Sequence, residues 1–134
     1  MSKTTLATIS GLGAAAVGLL YTNYVFGPTE AEVASWGQIS FYGGLGLVVL
    51  SVIARRLRLD VLRVVLVPLL SVMALIQVPP AILWILFHGS GISDGSPPTS
   101  FVAHWSISLP HLAIIGLCFA SVYQLLRRKP ISPA

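Results

Sequence analysis

The sequence predicts an all-α, polytopic membrane protein: four transmembrane helices in an antiparallel bundle, with both termini cytoplasmic. Three observations predict it. Hydrophobic residues make up 55% of the 134-residue chain and charged residues 9%; a soluble domain carries about 25% charged residues, so this chain lacks the polar surface to stand in water. Four apolar runs each approach the roughly 20 residues that a helix needs to span a bilayer. Charge is also sorted between those runs. Lys3, Arg55, Arg56, Arg58, Arg63, Arg127, Arg128 and Lys129 fall at the two ends or between runs two and three, whereas Glu30, Glu32 and Asp94 fall in the other two connections. Basic residues concentrate on cytoplasmic loops, which sets this orientation. Four spans leave little chain over, so residues 1–134 are read as one membrane domain, with helices at about 4–26, 38–54, 64–87 and 109–126.

Run one carries Gly11, Gly13, Ala14, Ala15, Ala16 and Gly18. Gly11 with Ala15, and Ala14 with Gly18, are small residues four apart on one helix face. In lipid, helices associate through close backbone approach, so such pairs mark a packing seam. Tyr21, Tyr24 and Phe26 follow and are read as an aromatic belt at the outer interface. A cleaved signal is the alternative reading, but the apolar stretch outlasts an ordinary signal core, so a retained helix is expected.

The first outer connection, Gly27 to Glu32, is short and acidic, with Thr29 expected to cap a brief interfacial turn running to Trp36, an interface anchor. Run two, Gln38 to Ala54, holds Gly43, Gly44 and Gly46, and Ser40 with Gly44 repeats the small-residue spacing. Run two is therefore the expected close partner of run one. The inner connection, Arg55 to Arg63, alternates basic and apolar residues. It is expected to lie at the headgroups with its arginines snorkelling and Asp60 paired to one of them.

Run three, Val64 to Phe87, contains Pro68 near its start and Pro79 and Pro80 well inside. Proline removes an amide donor and crowds the carbonyl four residues back, so Leu75 and Ile76 should lose their helical partners. Lipid offers no replacement. A bend facing the bundle interior is expected there, with Gln77 turned toward protein. The second outer connection, His88 to Ser108, is rich in turn-forming Gly, Ser, Asp and Pro, with Phe101, Val102 and Trp105 bringing it back to the membrane surface. Run four, Leu109 to Leu126, follows Ser108 as expected N-cap, with Pro110 in the first turn, where its missing N–H costs nothing. Gly116 and Ala120 form a further small pair.

Composition excludes several function classes. The net charge of +4 flanks apolar runs and is assigned to topology and anionic headgroups, not to nucleic acid. No charge falls inside a span, which argues against ion-coupled transport. No nucleophile elbow or phosphate loop appears, and no paired carboxylates lie inside a span, Glu30 and Glu32 falling in a short loop, so the reading leans away from an enzyme. The single cysteine, Cys118, is read as a buried apolar residue.

The chemistry-bearing candidates are His88, His104 and His111, all near the outer face, with Trp105 beside them and Gln77 deeper. His88 and His111 end adjacent antiparallel helices. Facing each other, they would suit axial ligation of a b-type haem or a copper or zinc ion; one histidine alone would suffice to contact a quinone. The leading functional expectation is a small non-catalytic subunit packed by Gly11, Ala15, Gly18, Gly44, Gly116 and Ala120 within a larger respiratory or photosynthetic membrane complex. Its partners would be lipid and other integral membrane subunits. A haem-, metal- or quinone-binding bundle and a homo-oligomeric channel or neutral-solute carrier are the alternatives.

Overall fold

The computed structural model describes residues 3–22, 31–57, 60–92 and 101–127. Its helices are α1 (Thr5–Leu20), α2 (Ala31–Leu57), α3 (Asp60–Leu86) and α4 (Ser108–Leu126). Between α3 and α4, the two-residue strands β1 (Gly91–Ile92) and β2 (Phe101–Val102) pair antiparallel, and a 3₁₀ turn at Trp105–Ile107 leads into α4. Ser35–Leu57, Val64–Leu86 and Trp105–Leu126 are each long and apolar enough to cross a membrane. The 16 residues of α1 reach about 24 Å at 1.5 Å per residue; Tyr21 and Thr22 extend it in a wider π turn.

Register shows how the helices run. Along α1, Gly11 lies against Gly44 and Gly18 against Gly37, so a step forward on α1 is an equal step back on α2. Lys3, Ser10 and Tyr21 of the α1 segment meet Arg127, Ser121 and His111 of the α4 segment in the same inverse order. Ser40 of α2 meets Gln77 of α3, and Gln77 meets His111 of α4. The helices therefore alternate in direction around a ring, with α1 packed most closely on α2 and α3 on α4. Among the described residues, the basic side chains of Lys3, Arg55, Arg56 and Arg127 gather at one end of the bundle, and His88 and His104 at the other.

The α1–α2 seam is the tightest contact. A Cβ added to Gly44 would stand 2.5 Å from the Gly11 carbonyl oxygen and 2.6 Å from the Ala15 nitrogen, and one added to Gly11 would stand 2.6 Å from the Gly44 carbonyl oxygen. Gly18 and Gly37 make a second such crossing. Glycine is used here because backbone meets backbone, with no flexible side chain to move aside.

Several boundaries differ from expectation, for local reasons. α2 starts at Ala31 rather than near Gln38 and takes in Trp36, because nothing from Ala31 to Gln38 breaks a helix and Gly37 is held in the seam. Trp36 is half-buried and its indole bonds to the Ile76 carbonyl. α3 starts at Asp60, and of the basic connection Arg55 and Arg56 belong to the last turn of α2, where positive charge favours the helix C-terminus, while Arg58 and Leu59 lie outside the described residues. Pro68 accordingly lies inside α3 along with Pro79 and Pro80, and the helix continues through all three. The N-cap of α4 is Ile107, not Ser108; the 3₁₀ turn already occupies the first amides, and the Ser108 hydroxyl is buried with no partner. Tyr21, expected in the aromatic belt, is buried. The expectations for Tyr24, Phe26, Thr29 and the Asp60 carboxylate fall outside the described residues and side chains.

Candidate functional site

Several polar side chains of the bundle interior form one hydrogen-bonded row that touches all four helices. Gln77 and His111 are 0% exposed, and a polar group so placed must find its partners within the protein. The His111 Nδ1 lies 2.7 Å from the Gln77 Oε1, and its Nε2 lies 2.8 Å from the Tyr21 hydroxyl. The Trp84 indole donates to that same hydroxyl. At the other end the Gln77 amide donates to the Ser40 Oγ at 2.9 Å, and the Ser40 hydroxyl donates to the Ala14 carbonyl at 2.9 Å.

The two ends of this row fix the role of every member. A backbone carbonyl only accepts, so Ser40 gives its proton to Ala14 and accepts from Gln77. The Gln77 atom facing Ser40 is therefore the amide nitrogen, which leaves the Gln77 carbonyl oxygen for His111. That oxygen only accepts, so His111 carries its proton on Nδ1. Its Nε2 is then a lone pair and takes the Tyr21 proton. An indole N–H only donates, which matches Trp84 at the far end. For a neutral His111 the arrangement admits a single tautomer.

Aromatic rings enclose the row. Tyr21 lies edge-on to Trp36 at 4.7 Å between centroids and to Trp84 at 6.4 Å, and His111 lies edge-on to Trp36 at 5.6 Å. Trp36 fills one of the two gaps that Pro79 and Pro80 open: its indole donates to the Ile76 carbonyl at 3.0 Å, the oxygen whose helical partner would have come from Pro80. At Ile76 a side chain from α2 thus replaces the missing amide.

The sequence candidates separate into two sets. Gln77 and His111 belong to the interior row. His88, His104 and Trp105 form an exposed set at the end of the bundle. The His88 and His104 rings meet edge-on at 5.0 Å, and the Trp105 ring lies 5.7 Å from His104. The Trp105 amide donates to the His88 Nδ1 at 3.4 Å, and the Ser106 amide donates to the His104 Nδ1 at 3.2 Å. His88 and His111 thus do not face a common centre. His88 lies beyond the last turn of α3, while both nitrogens of His111 are taken by Tyr21 and Gln77. The exposed pair is also ill-disposed to a metal. A metal-bound histidine normally donates its second ring N–H, whereas here each Nδ1 is the acceptor of an amide. Among the described residues, no three of His, Cys, Asp and Glu come together.

The packing candidates separate too. Gly11, Ala15, Gly18 and Gly44 lie in the α1–α2 seam, whereas Gly116 and Ala120 are exposed and a Cβ on Gly116 would meet nothing within 4 Å. A smaller polar contact lies deeper along α1 and α4. Ser10 and Ser121 approach to 3.3 Å, but each hydroxyl gives its proton to its own helix, at Leu6 and Leu117.

Sequence reasoning missed Tyr21, Trp84, Trp36 and Ser40 as members of the row. A signal was present for Trp84: it stands seven residues, two helical turns, past Gln77 and so shares its face. No family model matches this chain, and no curated protein or solved structure matches it.

Proposed function

We propose that this chain is a small, non-catalytic integral membrane subunit that crosses the bilayer four times, keeps both ends in the cytoplasm and packs into a larger membrane complex, respiratory or photosynthetic. The observation that carries the reading is the outward position of Gly116 and Ala120. In lipid a small residue on an outer face forfeits contact area, and its use is close approach by another helix. Gly11, Ala15, Gly18 and Gly44 are consumed within the chain, which leaves this pair on α4 open to a neighbour. Phe119 and Tyr123, both exposed, flank it. The interior supports a structural role: its polar groups are spent on each other, and the row leaves His111 and Gln77 no atom for a substrate. The end bearing Lys3, Arg55, Arg56 and Arg127 supports the cytoplasmic placement of the termini.

The test is purification of a tagged chain from its native membrane in mild detergent, beside the Gly116→Leu, Ala120→Leu variant. Larger membrane subunits should accompany the unaltered chain and be lost from the variant, while the variant keeps its helical content. Recovery of the chain alone, or only as copies of itself, overturns the reading.

A further inference from the structure

The exposed set at the histidine end holds a feature that the interior row does not explain. Two imidazoles hold down the segment that enters α4, and both do so through the same atom. The His88 Nδ1 accepts the Trp105 amide at 3.4 Å, and the His104 Nδ1 accepts the Ser106 amide at 3.2 Å, with the Ser106 hydroxyl 2.7 Å from that nitrogen. A backbone N–H can only donate, so each Nδ1 must present a lone pair and each ring is neutral, with its proton on Nε2. These two amides open the 3₁₀ turn Trp105–Ile107, whose N-cap is the His104 side chain. The lead-in to α4 is thus held by two bonds, each of which exists only while its ring is uncharged.

We propose that His88 and His104 form an acid-released latch on the lead-in to α4. Protonation of a ring places a hydrogen on its Nδ1, where the amide hydrogen already points, and that ring's bond is lost. The second proton is opposed by the first, because the ring centroids are 5.0 Å apart and like charges at that spacing repel. The groups that face the two rings are each other, Trp105 and Ser106. No charged side chain faces either ring among the described residues: Lys3, Arg55, Arg56 and Arg127 lie at the opposite end of the bundle. Among the described residues nothing nearby offsets the added charge; the side chains of Glu30, Glu32 and Asp94 lie outside them. Each bond is present only while its ring is neutral, so the latch opens as the rings take up protons. This inference does not depend on the chain being a subunit of anything.

Amide hydrogen exchange of the full chain in lipid nanodiscs tests it, with Trp105 and Ser106 followed by NMR at about pH 7.5 and about pH 5. After correction for intrinsic exchange, protection at both amides should fall about tenfold or more in acid, the size of one net hydrogen bond. The His88→Asn, His104→Asn variant offers a carbonyl oxygen near each Nδ1 position that takes up no proton, and its protection should not change with pH. Equal protection of the unaltered chain at both pH values overturns the proposal, as does an equal loss in the variant. If the variant does not fold, the imidazole nitrogen shifts of the unaltered chain decide. Nε2-protonated rings at neutral pH, gaining a second proton as the Trp105 amide opens, uphold the latch; Nδ1-protonated rings at neutral pH overturn it.

Discussion

The indole of Trp36 donates to the carbonyl of Ile76, the oxygen that Pro80 leaves without a helical partner. One residue of α2 thereby repairs a defect in α3, and two features that look unrelated in the sequence are one interaction. The repair is testable by restoring the lost amide. Trp36→Phe should destabilise the bundle by about 1–3 kcal/mol, the cost of a buried carbonyl left unpaired. Adding Pro80→Ala returns an N–H four residues after Ile76 and should recover part of that loss. Unfolding in mixed micelles would measure the cycle; strictly additive effects would show that the two residues do not share this oxygen.

Gln77→Leu makes α3 more apolar, and hydropathy alone says that the change should be harmless in a membrane. The hydrogen-bonded row says otherwise. It strands the His111 Nδ1–H and removes the donor to Ser40, so stability should fall by about 2–4 kcal/mol, one to two unsatisfied buried groups. A neutral or stabilising result in the same micelle assay would mean that the row contributes nothing.

The two glycines Gly44 and Gly46 should respond oppositely to alanine. At Gly44 the new methyl meets the Gly11 and Ala15 backbone, whereas at Gly46 it meets nothing within 4 Å. Gly44→Ala should therefore cost about 1–3 kcal/mol, and Gly46→Ala should gain up to about 1 kcal/mol from helix propensity. Similar behaviour of the two would remove the seam as the reason for glycine.

Ser108 offers a sharper contrast between sequence and structure. As an N-cap its loss would cost about 1 kcal/mol. As a buried hydroxyl with no partner, it should be replaceable by alanine with no loss, or with a gain of up to about 1 kcal/mol. Thermal unfolding of Ser108→Ala distinguishes the two by sign.

Orientation is checked by cysteine labelling in intact cells. A reagent that cannot cross membranes should modify Ser90→Cys, which is exposed at the histidine end, and leave Arg56→Cys at the basic end untouched. The native Cys118 is buried and serves as a silent background. The reverse pattern would invert the bundle.

Much of the architecture was legible in the sequence because it follows from composition. Apolar runs, charge sorting and small-residue pairs are written residue by residue, and they foretell four helices and the α1–α2 pairing that the structure contains. The partners of Gln77 and His111 were less legible. Both stand out as polar residues in apolar runs, yet the sequence does not say how deep each lies. Tyr21 near the end of α1 fits an interfacial belt as readily as a core, and the choice depends on how α1 sits against α4. The three histidines fall close together in connectivity, but a shift of a few residues divides them. His111 lies three residues into α4 on the face of Ser108 and turns inward, whereas His88 lies two past the end of α3 and turns out. The helix start at Ser108 was misjudged because a 3₁₀ turn can cap a helix with its own backbone, and no single residue advertises that.

The interior row has a fixed direction. With His111 neutral, every bond in it points the same way, from the Trp84 indole, which only donates, to the Ala14 carbonyl, which only accepts. Reversing any one bond would set donor against donor or acceptor against acceptor at its neighbour, so the row admits one arrangement of protons rather than several. Such a row ties four helices to one another in a single register.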